Sequence, residues 1–212
     1  MSTTSATAPT EQERSPRAVV RQSGITSAVA MLGVFSGLLL DLAWTSVFGL
    51  GKESDAWVLA LRVPLSVTAI AMVVANQVLV PTFAAWSTRL EQREQARAQS
   101  AVLLAVSGFA IALATLLTVF ARPIVAGIAP GFAEVPGKLE LAATMTQIIA
   151  WYIPCVLMAE VLRCWLNAHL VVGFPAAMTL VLNLVAGVLI LAFAHGNEHM
   201  VPLAYVAGSM VQ

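Results

Sequence analysis

Residues 98–121 read AQSAVLLAVSGFAIALATLLTVFA, a stretch without one charged side chain between Arg97 and Arg122. An α-helix rises about 1.5 Å per residue, so about twenty apolar residues cross the hydrocarbon core of a bilayer, which is about 30 Å thick. The stretch is therefore long enough to span a membrane as one helix. Its uninterrupted apolar character also differs from the alternating pattern of a membrane β-barrel.

Similar charge-free stretches recur at residues 22–40, 63–88, 141–159 and 164–197. Hydrophobic residues make up 59% of the chain and charged residues only 10%, as expected for a chain that lies mostly in lipid. Because a backbone in lipid must satisfy its own hydrogen bonds, continuous apolar runs favour helices. The sequence predicts an all-α, polytopic integral membrane helical bundle, with helices at about 25–50, 56–86, 101–121, 140–168, 172–194 and 201–212.

The two ends of the chain differ from its middle. Residues 1–22 are rich in Ser, Thr, Ala and Glu and cannot bury enough apolar surface to fold alone, which predicts a disordered tail before a transmembrane lobe at 23–212. At the other end, the apolar run that starts at Val201 supplies only about 18 Å of helix before Gln212, less than a membrane thickness. We expect an incomplete sixth helix, and hence a fragment of a longer protein.

The cations are unevenly divided between the two predicted sides of the membrane. Arg14, Arg17, Arg21, Arg89, Arg93, Arg97 and Arg163 fall on one side, and Lys52, Arg122 and Lys138 fall on the other. Connections rich in Lys and Arg stay in the cytoplasm. The charge pattern therefore predicts that the N-terminus and the connection at 87–100 are cytoplasmic.

Catalytic and metal-binding patterns are weak in this sequence. The predicted spans contain no paired carboxylates and no Ser/His or Cys/His constellation, so we expect no enzyme activity. His195-Gly-Asn-Glu-His199 brings two imidazoles and a carboxylate close together, but metalloprotease spacing needs one helix face, whereas Gly196-Asn197 favours a turn. We interpret this segment as a solvated loop, and we expect no metal, no cofactor and no nucleic-acid partner.

Two ionisable residues lie inside predicted spans, where charge is expensive and indicates function. Asp41 precedes Gly49 by eight residues, and Arg62 follows Ser54 by eight. If the first two helices run antiparallel through the turn between them, both side chains lie about 12 Å below it. An intramembrane ion pair is one interpretation. In the other, Arg62 extends alone towards the interface while Asp41 is neutral or faces a water-filled cavity.

Other charged side chains lie near predicted helix ends. Asp55 starts the second helix, where a carboxylate complements the helix dipole and caps free amides; the functional alternative is a carboxylate of an outer gate. Glu160 and Arg163 are three residues apart on one helix, a spacing that predicts a salt bridge near the cytoplasmic interface.

Helix-breaking and polar residues cluster within the predicted spans. The prolines are Pro64, Pro81, Pro154 and Pro175, and the carboxamides are Asn76, Gln77, Asn167 and Asn183. Proline permits a helix to bend, and carboxamides bond across helices or contact a polar substrate. Their clustering favours a transporter over an inert anchor, and Asn76 and Gln77 are candidates for a polar cavity lining.

Several short motifs then carry a family resemblance. Phe48-Gly-Leu-Gly-Lys-Glu-Ser-Asp-Ala-Trp57, Arg62-Val-Pro64, Gln77-Val-Leu-Val-Pro81, Ala129-Pro-Gly-Phe132 and residues 167–175 resemble, in order and spacing, landmarks of MviN/MurJ-type lipid II flippases. The resemblance implies the first six-helix lobe of a two-lobe, alternating-access transporter. It further implies a bacterial cytoplasmic membrane location, surrounding membrane lipids, an absent C-terminal lobe as partner, and a lipid-linked saccharide substrate on an undecaprenyl pyrophosphate carrier.

The sequence departs from this family at its expected cavity arginines. The corresponding positions are Val34 and Leu40 in the first helix, with Asp41 retained, and the region of Val67 and Thr68 in the second. A pyrophosphate needs cationic or amide donors to offset its desolvation. We therefore keep two alternatives to a flippase of undecaprenyl-pyrophosphate-linked saccharides: an ion-coupled drug exporter of the same superfamily, and a membrane scaffold in envelope assembly. Candidate cavity or gate residues are Asp41, Arg62, Asp55, Asn76 and Gln77.

Overall fold

The computed structural model of this protein describes residues 16–169 and 173–212. All regular secondary structure in these residues is helical. The helices are α1 (Pro16–Phe48), α2 (Lys52–Arg89), α3 (Gln92–Val119), α4 (Ala121–Ile128), α5 (Lys138–Ile149), α6 (Tyr152–Ala168), α7 (Gly173–Phe193) and α8 (Met200–Val211), with a 3-10 turn at Pro130–Glu134. Ser27–Phe48, α2, α3 and the span Lys138–Ala168 are each long and apolar enough to cross a membrane. The predicted all-α membrane bundle is confirmed.

The helices extend beyond the apolar runs that predict them. α1 begins at Pro16 rather than near 25, and residues 1–15 of the predicted tail lie outside the described residues. Only Leu90 and Glu91 separate α2 from α3, so most of the connection predicted at 87–100 is helical. Arg, Gln, Glu and Ala are good helix formers and do not need lipid to continue a helix. Apolar length therefore underestimates helix length at these ends.

The span predicted at 140–168 is broken at Ala150 and Trp151, between α5 and α6. Pro154 has no N–H to donate to the carbonyl of Ala150, four residues earlier, and its ring crowds that carbonyl. Across the break the chain forms hydrogen bonds between residues three apart, from Trp151 N to Ile148 O at 3.3 Å and from Ile153 N to Ala150 O at 3.2 Å. The single helix predicted at 140–168 is therefore wrong at this point, whereas α2 continues through Pro64 and Pro81.

The bundle consists of two groups of helices. α1 packs along α7, which also packs along α8, while α2 packs against α5 and α6; α3 lies on α6 and α4 on α5. α1 makes little contact with α2, although only the turn at Gly49, with φ of +61°, and the next two residues separate them. The main core lies where the groups meet and includes the fully buried Trp57, Met145 and Ile149.

α7 is held by hydrogen bonds to α1 on one side and by a close backbone contact with α8 on the other. Asn183 Nδ2 on α7 donates to Ser36 Oγ at 3.0 Å and to the Gly33 carbonyl at 3.3 Å, which confirms that a carboxamide bonds across helices here. On the other side of α7, a Cβ added at Gly208 of α8 would lie 2.7 Å from the Leu182 carbonyl oxygen and 3.2 Å from Ala186 Cβ. Glycine is therefore required at position 208 for α7 and α8 to approach this closely.

Replacement of Gly208 by Val should destabilise the protein. The side chain would collide with the α7 backbone, and overpacking of this kind costs about 1–3 kcal/mol. The measurement is the thermal unfolding midpoint in detergent micelles. Gly108→Val on α3 is the matched control, because a Cβ at Gly108 meets nothing within 4 Å. An equal loss of stability in both variants would contradict the close α7–α8 contact.

Two groups of polar contacts lie at the two ends of the bundle. Asp55 of α2 meets Lys138 of α5, and Arg122 of α4 meets Glu140 of α5, so these cations share one end. At the other end, Gln95 Nε2 of α3 lies 3.3 Å from His169 Nε2, just past α6. Which end faces the cytoplasm stays a prediction of the charge pattern.

Cysteines introduced at Glu94 and at Val135 should react from opposite sides of the membrane. Both positions are exposed and belong to opposite ends of the bundle. The test uses a Cys155→Ala, Cys164→Ala background and a membrane-impermeant maleimide on intact spheroplasts. We expect labelling at Val135 without lysis and at Glu94 only after lysis. Labelling at Glu94 alone in intact spheroplasts would reverse the predicted orientation.

Candidate functional site

One polar cluster joins the first turns of α2 and α5 at the end with fewer cations. Lys138 Nζ donates to Asp55 Oδ2 at 2.6 Å and lies 4.3 Å from the centroid of the Phe132 ring. The Lys138 side chain is only 12% exposed, whereas that of Asp55 is 65% exposed. The ammonium is therefore held between a carboxylate and an aromatic face, an arrangement that favours a cation. This cluster ties the 3-10 turn and α5 to the start of α2.

The role predicted for Asp55 changes in part. α2 begins at Lys52, with Gly51 at its N-cap and without a side-chain cap bond, so the predicted capping by Asp55 or Ser54 is wrong. The helix starts earlier than the apolar run indicates, and this places Asp55 within the first turn instead of at the cap. Its carboxylate still lies near the positive end of the helix dipole. Its role as a gate stays a hypothesis. The contact with Lys138 identifies the residue with which Asp55 would close such a gate.

Asp41 and Arg62 do not form the ion pair that one interpretation predicts. Asp41 Oδ1 accepts a hydrogen bond from Trp44 Nε1 at 3.0 Å, and in the described part of the chain Arg62 has no carboxylate within 4 Å. Equal depth below a turn is not sufficient, because the two helices must also pack together, and α1 packs on α7 instead. Both side chains belong to exposed residues. Their roles as separate cavity charges remain candidates.

A second polar cluster lies between α2 and α6 and is largely buried within the protein. Glu160 and Arg163 form the predicted salt bridge between Oε2 and an Nη2 donor. Glu160 Oε1 accepts a hydrogen bond from Asn76 Nδ2 of α2 at 3.3 Å and lies 3.7 Å from Cys164 Sγ. The Glu160 side chain is only 6% exposed and that of Arg163 is 23% exposed. The pair is confirmed, but it is buried, because Asn76 and its own helix enclose the carboxylate.

The Glu160–Arg163 pair borders a cavity of about 300 Å³ between α2, α6 and α7. The other polar side chains that line it are Thr68, Tyr152, Thr179, Asn183 and Gln212, and apolar side chains such as Met72 and Leu182 complete the lining. An ion pair beside a cavity in a membrane bundle concentrates polarity where the surroundings are apolar. We define this cavity, with Glu160, Arg163 and Asn76, as the inner polar pocket.

The two carboxamides proposed as cavity lining have different surroundings. Asn76 holds Glu160 and also donates to the Met72 carbonyl at 2.7 Å, so it joins α2 to the inner polar pocket. Asn76 and Gln77 are both exposed residues of α2. Adjacent residues of an α-helix point about 100° apart, so the two amides cannot serve one surface. The geometry therefore favours Asn76 over Gln77 as a pocket residue.

The histidine-containing loop between α7 and α8 is a series of turns. Gly196 adopts φ of +83°, and His199 N donates to Asn197 Oδ1 at 3.2 Å. A left-handed glycine and an Asx-type bond are typical of turns. Among the described residues, no group of three or more His, Cys, Asp or Glu side chains is placed to hold a metal ion.

Comparison with known proteins assigns the family. The family model described as Lipid II flippase MurJ matches residues 44–212 of this chain. The chain belongs to the MurJ family. The match spans α2 to α8 and both polar clusters. It begins after Asp41, so it does not reach the first-helix positions Val34 and Leu40.

A curated MurJ relative gives a more distant comparison. The probable lipid II flippase MurJ of Buchnera aphidicola subsp. Acyrthosiphon pisum (strain APS) is 23% identical over 159 residues, which cover 74% of this chain and 31% of the relative. The chain thus spans about a third of the length of that relative. MurJ landmarks meet in space here: Asp55 and Phe132, from separate motifs, both contact Lys138, and Trp57 packs edge-on against Tyr205 with 4.9 Å between ring centroids.

Sequence reasoning missed the inner polar pocket as a candidate site. Glu160 and Arg163 were assigned only a salt bridge near the cytoplasmic interface. A signal was present, since α6 carries these two charges within its otherwise uncharged sequence. What the sequence could not supply is the pairing of α2 with α6, which brings Asn76 to Glu160 and opens a cavity beside them.

Removal of Glu160 should destabilise the protein more than removal of both charges. Loss of one partner of a buried ion pair costs about 3–5 kcal/mol, because the other charge is left uncompensated. We expect Glu160→Gln to lower the unfolding free energy strongly and Glu160→Gln with Arg163→Gln to recover part of the loss. The measurement is a double-mutant cycle on unfolding in detergent.

The exposed pair Arg122–Glu140, at 2.8 Å, is the matched control. Exposed ion pairs contribute about 0–1 kcal/mol, so the same cycle there should give a small coupling. Equal coupling energies for the two pairs would contradict the buried character of Glu160–Arg163.

Proposed function

We propose that this chain forms the first lobe of a flippase that moves an undecaprenyl-pyrophosphate-linked saccharide, such as lipid II, across the bacterial cytoplasmic membrane for cell-wall synthesis. The observation that carries the proposal is the MurJ family match over residues 44–212. The inner polar pocket supports it, because a transporter of an anionic headgroup needs polar groups inside an apolar bundle. The N-terminus is cytoplasmic in this proposal, as the distribution of cations favours.

Transport requires a second lobe in this mechanism. The two helix groups of this lobe share the main core where they meet, so in this proposal the lobe moves as one body. Alternating access in repeat-built transporters arises when one such bundle rocks against another around a central site. We propose a C-terminal lobe of the same fold as the partner.

The Asp55–Lys138 contact is a candidate outer gate. It joins the first turns of α2 and α5 by one ion pair, in which the Asp55 carboxylate is exposed and the Lys138 ammonium lies against Phe132. In this proposal the gate opens when Lys138 and Asp55 separate. Asp41 and Arg62, exposed on α1 and α2, would be available to a headgroup or to the second lobe.

Depletion of the chain in its own cells should change the sidedness of lipid II. We expect lipid II in the outer leaflet to fall while total lipid II rises, because synthesis continues on the cytoplasmic face. The measurement is labelling by an impermeant lipid II-binding probe against total extracted lipid. Restoration of the gene, or of its Arg122→Gln variant, should reverse the change.

The alternatives give different outcomes of the same depletion. Unchanged sidedness with increased drug susceptibility would contradict the proposal and favour a drug exporter. Unchanged sidedness with a thinner wall and unaltered drug susceptibility would favour a scaffold in envelope assembly.

A further inference from the structure

The guanidinium of Arg163 has unused capacity to bind. A guanidinium carries five N–H donors in a planar fork. Among the residues that the structure describes, Glu160 is its hydrogen-bond partner through one oxygen, Oε2. The Arg163 side chain is also the more exposed member of the pair and lines the inner polar pocket. A cation with open donors therefore faces a cavity of about 300 Å³.

Glu160 is held independently of Arg163. Its other oxygen, Oε1, accepts from Asn76 Nδ2 at 3.3 Å and lies 3.7 Å from the Cys164 thiol. A buried carboxylate that loses its cation is costly unless hydrogen bonds remain to it. These two donors reduce that cost, so Arg163 is able to exchange partners while Glu160 stays in place.

We propose that Arg163 is an anion-binding residue of this lobe, and that Glu160 occupies it in place of a substrate phosphate. A phosphate of a lipid-linked pyrophosphate displaces the Glu160 carboxylate from Arg163, and Asn76 and Cys164 then keep Glu160 hydrogen-bonded. The pyrophosphate competes well because its two phosphates together carry more charge than one carboxylate and present oxygens that match the guanidinium fork. The substrate class rests on the proposed function; the exchange of partners rests on the geometry of the pocket.

Among the residues that line the pocket, Arg163 is the group that would favour a phosphate over a neutral sugar. Arg163 is the cationic side chain among its lining residues, and Thr68 and Asn183 add a hydroxyl and a carboxamide. The Thr68 hydroxyl donates to the Leu65 carbonyl at 3.1 Å, and the Asn183 amide donates to Gly33 and Ser36 of α1, so the donors of these two side chains are already used. The positive charge available to a ligand is thus concentrated on Arg163.

The test measures binding of undecaprenyl pyrophosphate to the full chain in nanodiscs of neutral phospholipid, with undecaprenol as the uncharged probe. We expect Arg163→Gln to weaken binding of the charged lipid about tenfold or more, as loss of hydrogen bonds to a charged group predicts. Undecaprenol binding should not change. Arg163→Lys, which keeps the charge without the fork, should give an intermediate affinity.

Two further variants complete the design. Glu160→Gln removes the competing carboxylate and should tighten binding of the charged lipid several-fold. Arg122→Gln removes a cation from an exposed pair away from the pocket and should leave the affinity unchanged. Helical circular dichroism and a single size-exclusion peak identify folded variants; if Glu160→Gln fails this check, the comparison of Arg163→Lys with Arg163→Gln decides.

Several outcomes would overturn the inference. Equal binding of undecaprenyl pyrophosphate by the wild type and Arg163→Gln would do so, as would equal binding of the charged and uncharged lipids by the wild type. Competition by inorganic pyrophosphate as effective as that by the lipid would assign the pocket to a soluble anion. An unchanged lipid II sidedness in depleted cells, with Arg163-dependent binding intact, would contradict the proposed flippase function alone.

Discussion

Hydrocarbon offers no hydrogen-bond partner, and this constraint governs both the helices and the polar side chains within them. Hydroxyls along the spans return to carbonyls of their own helix: Thr146 Oγ1 donates to Ala142 O at 2.7 Å and Ser209 Oγ to Val206 O at 2.7 Å. Such bonds satisfy a polar atom without a second helix. A polar group that instead reaches another helix fixes the packing of both, as Asn183 does between α7 and α1 and Asn76 does between α2 and α6.

The same constraint explains why the buried ion pair has a carboxamide beside it. Glu160 has two oxygens, and a single guanidinium contact at one of them would leave the other in an apolar bundle. Asn76 supplies the second oxygen with a donor from a different helix. In this arrangement both oxygens of the carboxylate accept a hydrogen bond, whereas few of the N–H donors of Arg163 are used. A buried pair of this kind contributes little net stability compared with apolar packing, which favours a functional reason for its presence.

The fold was largely predictable from one-dimensional information, and the candidate site was not. Charge-free runs predicted the spans because the membrane sets a length, but they also predicted one helix at 140–168, where the structure breaks before α6, near Pro154. Asp41 and Arg62 show the limit: their depth follows from helix rise, but their partners depend on which helices pack. Glu160 was misjudged for the same reason, since its burial depends on α2 and no local pattern specifies that pairing.

The family resemblance leads one to expect cavity arginines that this sequence lacks, and the position of Arg163 compensates for part of that loss. The sequence lacks arginine near Val67 and Thr68, where the family resemblance leads one to expect cationic donors in the second helix. Thr68 is buried and lines the same cavity as Arg163, so a cation from α6 faces the volume that a cation from this part of α2 would face. Electrostatic recognition depends on where charge lies relative to the ligand and not on which helix supplies it. The absence of arginine at Val67 and Thr68 is therefore weak evidence against an anionic substrate while Arg163 faces that cavity.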